Sequence, residues 1–299
     1  MVLLHLMGGL GNQMSQVAFA YVVGRRNNQF VEVETTSYKT YKRRPCSIQK
    51  MELDRIIGVN SRTRGLYFRW SRFIQELYHV IIRLLFHKRE QPKILFSFLQ
   101  RFNHLYSCDS THLPLRSFKH NVDIYGYYLI EPYFREYYTD ICKMFEVKKE
   151  FLSNEVTKYE NLISTAKCPI AVSLRLQDDY RKDPIMYVCT PEYFKRGVAI
   201  VKEKHPDATY FIFADDIEMA KQFDLGISPV YIEGMNDVEG IHLMRKCHHF
   251  VISNSSFSWW GAYLSSNPNK DVIAPNRWIN NNKDYAAKYY SNMIKIDAR

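Results

Sequence analysis

Four groups of residues stand where a chain can do chemistry. His249-Phe250-Val251-Ile252 is a short apolar run ending in Ser253-Asn254-Ser255-Ser256, and the aromatic stretch Phe257-Ser258-Trp259-Trp260-Gly261-Ala262-Tyr263-Leu264 follows. This is a strand feeding a helix whose first turn carries hydroxyls and free backbone N–H groups, a start that favours anions through its orphan donors and positive dipole end. The same residues also suit an ordinary capped helix with tryptophans in the core, because Ser and Asn are preferred N-caps. Arg175 ends the apolar run Ile170–Leu174 and is followed by Asp178 and Asp179. A guanidinium there can grip a phosphate bidentately or form a salt bridge. The carboxylates can take a proton or sit as solvated loop acids and caps. Asp215 and Asp216 close a third apolar run, Thr209–Phe213. Finally, Val2–Leu6 meets Gly8-Gly9-Leu10-Gly11-Asn12-Gln13-Met14. With Glu32 or Glu34 about twenty residues on, this is a partial dinucleotide fingerprint, whose third glycine is replaced by Met14.

These groups are spaced by a regular scaffold. A strand over 2–6, a helix over 15–24 and a strand over 30–34 form a β–loop–α–β start. Residues 35–120 are basic and irregular with aromatic helices. Val122–Tyr128 is a strand leading through Pro132-Tyr133-Phe134 into a helix, and the charged stretch 148–167 marks a domain change. The second half alternates: strands at 170–175, 209–213, 230–232, 249–252 and 272–274, with helices at Pro191–Lys204 and Asp237–Cys247. Strands alternating with helices make a parallel sheet with right-handed crossovers, and ligands bind beyond the carboxyl ends of its strands. Arg175 with Asp178 and Asp179, Asp215 with Asp216, and Ser253 to Ser256 all fall at such ends.

The 299 residues suffice for two domains, and 46% apolar with 24% charged residues is a globular composition. Aromatic side chains are abundant (22 Tyr, 18 Phe, 4 Trp), which suits sugars, bases or large cores equally. The net charge of +10 fits a nucleotide phosphate, a polyanion or an anionic membrane surface. It is concentrated between Arg62 and Arg89, where Arg62, Arg64, Arg69, Arg72, Arg83, Lys88 and Arg89 oppose only Glu76. Apolar residues recur there at helical spacing, as in a helix lying on a membrane or one packing a face into its own domain. The six cysteines include no C-x-x-C pair and the ten histidines no H-E-x-x-H, so reduced thiols and no metal site are expected. Without an h-region at the N-terminus or a run long enough to span a bilayer, the expected location is cytoplasmic.

Gly8–Met14, Gly126-Tyr127 with Tyr133-Phe134, Phe213–Asp216, Ser253–Gly261, and Ile273-Ala274-Pro275 with Arg277-Trp278 occur in order across nearly the whole chain. In combination they resemble the α-1,2-fucosyltransferases of glycosyltransferase family 11, bacterial type. The resemblance implies an α/β, GT-B-like fold of two Rossmann-type domains facing across a cleft. These would be residues 1–150 on the acceptor side and 151–299 on the donor side, whose last helix can cross back. It further implies inverting, metal-independent transfer of L-fucose from GDP-β-L-fucose to O2 of a galactose in an acceptor glycan, with no cofactor and no nucleic-acid partner. Work on lipid-linked glycans would allow peripheral contact with the inner membrane face. The block that the family writes H-x-R-R-x-D-Y stands here as Ser173-Leu174-Arg175-Leu176-Gln177-Asp178-Asp179-Tyr180, with one arginine and an extra residue. Position 129 is Leu where relatives often have Gln.

Carried onto this chain, the donor-binding set is Gly9, Gly11, Asn12, Ser173, Arg175, Asp215, Asn254, Ser255, Ser256 and Phe257. Arg175 is the candidate for stabilising the departing diphosphate. Asp178 or Asp179 is the candidate base, and Asp215 or Asp216 can accept from guanine N1–H and N2–H or from ribose. Asn12 would reach the β-phosphate or fucose across the cleft. Trp259, Trp260, His242 and His248 read as structural. Two other functions fit parts of the sequence: an NAD(P)-dependent oxidoreductase built on the Gly9 loop, and a non-enzymatic basic protein docking on membrane or nucleic acid through residues 62–89.

Overall fold

Apolar runs of four to seven residues, most buried on both faces, assemble into two all-parallel sheets. The computed structural model describes residues 1–61, 65–86, 93–107, 112–281, 283 and 285–299. Arg62, Arg64, Lys88, Arg89 and Cys108 lie outside them. The chain divides into two units, Met1–Phe145 and Glu146–Arg299.

The first unit runs β1 (Val2–His5), α1 (Leu10–Asn27), β2 (Val31–Glu34), β3 (Ile57–Asn60), α2 (Leu66–Phe86), α3 (Lys93–Gln100), β4 (His104–Ser107), β5 (Val122–Gly126) and α4 (Tyr138–Met144). Its sheet has the order β3-β2-β1-β5-β4. Val2, Leu4, Val31, Val33, Val122 and Ile124 are fully buried in it. Helix α1 is buried on nearly all sides from Leu10 to Gly24, so it packs as a core element rather than a surface helix. The turn before it depends on Gly8, whose φ of +79° is in the left-handed region and whose Cβ would lie 2.8 Å from Asn12 Nδ2. Two strands of this unit, β3 and β4, fall in the stretch that reads as irregular from sequence. Both lie at sheet edges, and Gly58 with Asn60 and His104 with Ser107 interrupt their apolar residues.

The second unit runs α5 (Asn154–Thr165), β6 (Cys168–Leu174), α6 (Asp178–Arg181), α7 (Pro191–Lys204), β7 (Ala208–Ala214), α8 (Ile217–Ala220), β8 (Val230–Tyr231), α9 (Asp237–Met244), β9 (His249–Ile252), α10 (Ser256–Tyr263), β10 (Val272–Pro275) and β11 (Met293–Ile296). The stretch 148–167, which reads as a change of domain, thus contains a helix of this unit. The last element is a strand paired with β10, in place of a helix crossing back. The order β8-β7-β6-β9-β10-β11 builds outward from β6 in both directions. The chain therefore reverses its strand order between β6 and β9, and the carboxyl ends of those two strands form the topological switch point where such sheets bind ligands.

Local signals explain the helices around that point. Thr190 caps α7 by accepting from the Tyr193 amide at 3.4 Å, with Pro191 in the first turn. Tyr193, fully buried, donates its hydroxyl to the Ile252 carbonyl at 2.6 Å and so ties α7 to the end of β9. Asn236 and Glu239 form a capping box on α9.

Candidate active site

At the switch point, β6 and β9 are joined to α10 by a serine cluster. Ser173 Oγ lies 2.7 Å from Ser258 Oγ, which lies 3.1 Å from Ser253 Oγ. All three are buried. The Ser173 hydroxyl, which the motif places among the donor ligands, is therefore committed to a protein partner and braces the two strands. Asn254 is engaged further. Its Oδ1 accepts from Tyr180 Oη at 2.5 Å, and its Nδ2 donates to the carbonyls of Met186 (3.0 Å) and Trp278 (2.8 Å). With both ends of its amide held inside the protein, Asn254 fixes the β9–α10 loop. Ser255 is the N-cap of α10 and accepts from the Phe257 amide at 3.3 Å. Ser256 and Phe257, the first helical residues, are partly exposed. The helix start thus places its positive dipole end at the carboxyl end of β9, where an anion is favoured.

The indoles behind it are structural. Trp259 and Trp260 are fully buried, Trp259 Nε1 donates to the Lys288 carbonyl at 2.7 Å, and its ring stacks on Tyr263 at 4.6 Å. They hold α10 to the sheet, so its first turn keeps its place.

Arg175 follows β6. One Nη donates to Asp179 Oδ2 at 3.2 Å, and the guanidinium lies over the Tyr180 ring at 5.4 Å. Its Nε is buried with no hydrogen-bond partner. A buried charged donor left unpaired is costly, and an acceptor of negative charge would relieve it. Asp178 is differently placed. It is exposed and paired with Arg181 at 2.7 Å and Lys182 at 2.6 Å. Those partners, Lys182 first, hold its carboxyl below the usual range and make it a poor proton acceptor.

Asp215 shapes the β6–α6 turn. Its Oδ1 accepts from the amides of Leu176 (2.6 Å) and Gln177 (3.2 Å), and its carbonyl accepts from Gln177 Nε2 at 3.1 Å. Asp216 caps α8 by accepting from the Met219 amide at 2.9 Å. Tyr180 is the organiser that sequence reasoning misses. Besides its bond to Asn254, its oxygen accepts from the amides of Val188 and Cys189, each at 3.1 Å. Only its place in the family block singled out this tyrosine among 22.

In the first unit, Gly9 is the N-cap of α1, Gly11 is buried and Asn12 is partly exposed in the first turn. The loop is tied by glutamines of the same motif. Gln13 donates to the carbonyls of Gly8 (2.9 Å) and Pro45 (2.7 Å) and accepts from the amides of Ser47 and Ile48. Gln16 exchanges two bonds with the Met7 backbone. Glu34, a ribose candidate for a dinucleotide, is buried between the Thr36 amide at 2.5 Å and His5 Nδ1 at 3.2 Å. His5 Nε2 meets Asp123 Oδ1 at 2.9 Å, and Asp123 also bonds Ser71 and Tyr106. Burial opposes a charged His5, but hydrogen bonds and charges of Asp123 and Glu34 outweigh it and raise its pKa to about 9.

Among the described residues, one group has metal-ligand atoms within 4.8 Å of one another: Cys168, His205 and His249. It lies at the first residues of β6 and β9, the far end of the sheet from Arg175. His249 Nδ1 already accepts from the Asp271 amide at 3.1 Å, and His205 Nε2 pairs with Asp271 Oδ2 at 3.0 Å.

The glycosyl transferase family 11 model matches residues 1–296. The chain belongs to that family. An alpha-1,2-colitosyltransferase of Escherichia coli is 26% identical over 93% of this chain and 92% of its own. The NodZ alpha-1,6-fucosyltransferase of Bradyrhizobium, co-crystallized with GDP, superposes with a TM-score of 0.53 at 13% identity, over 87% of this chain and 91% of that one. POFUT1 in complex with GDP gives 0.51 at 12%, over 91% and 97%. The family 11 chain is a glycosyltransferase with a GT-B-like α/β fold containing two parallel sheets.

Proposed function

We propose that this family 11 enzyme transfers L-fucose from GDP-β-L-fucose, with inversion and without a metal, to O2 of a galactose in an acceptor glycan. The observation that carries the donor assignment is the buried Nε of Arg175, unpartnered among the described residues, just past β6 at the switch point where the neighbouring β9 leads into α10. A diphosphate supplies acceptors to both. The solved GDP complexes of NodZ and POFUT1, which share this fold, support the same class of donor.

In this reading Arg175 releases Asp179 and turns its fork to the diphosphate. It then meets the negative charge that builds as the C1–O bond to the β-phosphate breaks. The α10 amides hold the other side. The bonding pair leaves with GDP, and the acceptor hydroxyl bonds to C1 from the opposite face. Its proton passes to Asp179, since Asp178 is held as a poor base by Lys182 and Arg181. Asp215 keeps the β6–α6 turn in position and leaves Asp216 to its cap.

A second reading follows from the relative with a colitosyl name: the donor sugar is colitose rather than fucose. Both readings are tested by incubating the enzyme with GDP-fucose or GDP-colitose and an array of galactosides in EDTA, followed by linkage analysis of the products. A fucosylated product linked to O2 of galactose supports the first. A colitosyl product alone selects the second. A different linkage, or activity lost in EDTA and restored by a metal, overturns the corresponding element.

A further inference from the structure

Helix α2 has more apolar surface than its own unit covers. Ser71, Gln75 and Tyr78 are buried against the unit. Leu66, Trp70, Phe73, Leu77, Val80 and Leu84 are all exposed, from 45% at Leu77 to 84% at Leu66. Their spacing of alternating four and three residues places them in an arc of about 80° along the helix, at about 100° per residue. They form a continuous apolar stripe, separate from the buried face. Arg69 and Arg72 flank it. Helix α3 repeats the pattern, with Ile94 and Phe98 exposed, followed by Phe102 just past its end.

The two stripes meet. Tyr67 and Trp70 at the start of α2 and Phe102 after α3 line one open cavity of 410 Å³ together with Lys119, His120 and Asn121. Aromatic rings thus stand beside a cation and hydrogen-bonding groups. The surroundings are basic throughout. Within the described parts of 66–121, Glu76 is the one acid, against Arg69, Arg72, Lys93, Arg101, Arg116 and Lys119. Among the described residues, no helix is long and apolar enough to cross a membrane, and α2 carries charges along its length.

We infer that the α2–α3 face of the first unit docks on an anionic phospholipid bilayer. The apolar stripe enters the acyl boundary, Trp70 and Phe102 sit at headgroup level, and Arg69, Arg72, Lys93 and Arg101 meet the lipid phosphates. Lys119 and His120 take one headgroup in the cavity. An amphipathic helix with a cationic flank binds in this way, by apolar area and by charge together. The inference is independent of which sugar is transferred.

The test is co-sedimentation of the full-length protein with vesicles of equal parts phosphatidylglycerol and phosphatidylcholine, beside vesicles of phosphatidylcholine alone. Binding to the anionic vesicles is expected, weakened by high salt. Replacing Arg69 and Arg72 by Ala should lower the partition coefficient about fivefold for each arginine. The triple variant Trp70→Ser, Phe73→Ser, Leu77→Ser should lower it by at least about tenfold, with an unchanged melting temperature because these side chains are exposed. Absence of vesicle binding overturns the proposal, as does a triple variant that binds like the parent. So does a parent that sediments as a dimer, becomes a monomer in the triple variant and ignores vesicles, since the face then pairs with a second copy.

Discussion

Replacing Arg175 by alanine separates a phosphate ligand from a structural strut. Its ion pair with Asp179 joins side chains about 30% and 26% exposed, so solvent screening limits the pair to at most about 1 kcal/mol. The contact with the Tyr180 ring contributes about 0.5–1 kcal/mol at such a site. Removing the unpaired Nε at the same time relieves a buried donor and offsets part of that loss. The net cost to stability is thus about 1 kcal/mol, or about 2–4 °C in melting temperature for a unit of this size. The effect on catalysis is far larger, because losing one preorganised charge donor typically costs about 10²–10³ in kcat. Charge-assisted bonds to the diphosphate are worth about 1.5–3 kcal/mol each, so the Kd for GDP should rise at least about tenfold. Arg175→Lys should recover only part of this, since an ammonium keeps the charge but not the fork. Calorimetric titration with GDP, initial rates with GDP-fucose and thermal melts together read all three quantities. An Arg175→Ala protein that binds GDP and turns over within threefold of the parent, yet melts more than 10 °C lower, would show the guanidinium to be a strut.

Tyr180→Phe removes a hydroxyl that serves Asn254 and two amides. Asn254 Oδ1 is still reached by Cys189 Sγ at 3.7 Å, so the two amides at about 1–3 kcal/mol each set an expected loss of about 2–6 kcal/mol in urea denaturation, and a loss below about 1 would contradict the network. Asp178→Asn should keep most activity while Asp179→Asn loses about two to four powers of ten in kcat, as expected of a general base; equal rates for the two variants would remove Asp179 from that role. His5 has a folded pKa of about 9, above its unfolded value near 6.5, so its contribution is complete below about pH 6.5 and fades as pH rises through 9. Asp123 and Glu34 are shifted down, against the burial that would raise them, by hydrogen bonds and charge from His104, His5 and Thr36. Their contribution is present above about pH 4 and lost in acid. The melting temperature of the first unit should therefore be highest between about pH 4.5 and 6.5. It should fall toward pH 9 by an amount worth on the order of 3 kcal/mol, and His5→Gln should flatten that fall. A parent profile level from pH 6 to 9 would remove His5 from the charged pair.

Much of the fold is readable from order along the chain, because the interactions that set it are short in range. Val2–His5, Val31–Glu34, Cys168–Leu174, Ala208–Ala214 and His249–Ile252 are apolar runs that suit a parallel sheet, and their alternation with helices restricts the connections. Thr190-Pro191, Asp216 and Ser255 cap their helices through bonds to residues two or three positions on, so the helix starts are written locally. The strands β3, β4 and β11 escaped because they lie at the outer edges of their sheets and break their apolar residues with Gly58 and Asn60, His104 and Ser107, or Lys295, leaving no apolar run to read.

The candidate site divides along the same line. By itself the sequence determined which polar residues stand at the ends of strands: Arg175, Asp178, Asp179, Asp215 and the 253–256 serine and asparagine cluster. It also determined, through the combined blocks, that the chain belongs to family 11. Only the tertiary structure decided which of those residues bond to one another within the protein. Ser173 meets Ser258 across 85 positions, Asn254 meets Tyr180 across 74, and Asp215 meets Leu176 across 39. A buried hydroxyl or amide must find a partner, and the partner is whichever group the packed sheet brings within about 3 Å. For Ser173 and Asn254 that partner is the protein itself. For Arg175 Nε no partner in the protein is in reach. The same long-range pairing joins His5, Glu34 and Asp123, three residues from separate strands with no common motif. Residue type and spacing nominate a group for chemistry, but three-dimensional packing settles whether that group is already satisfied.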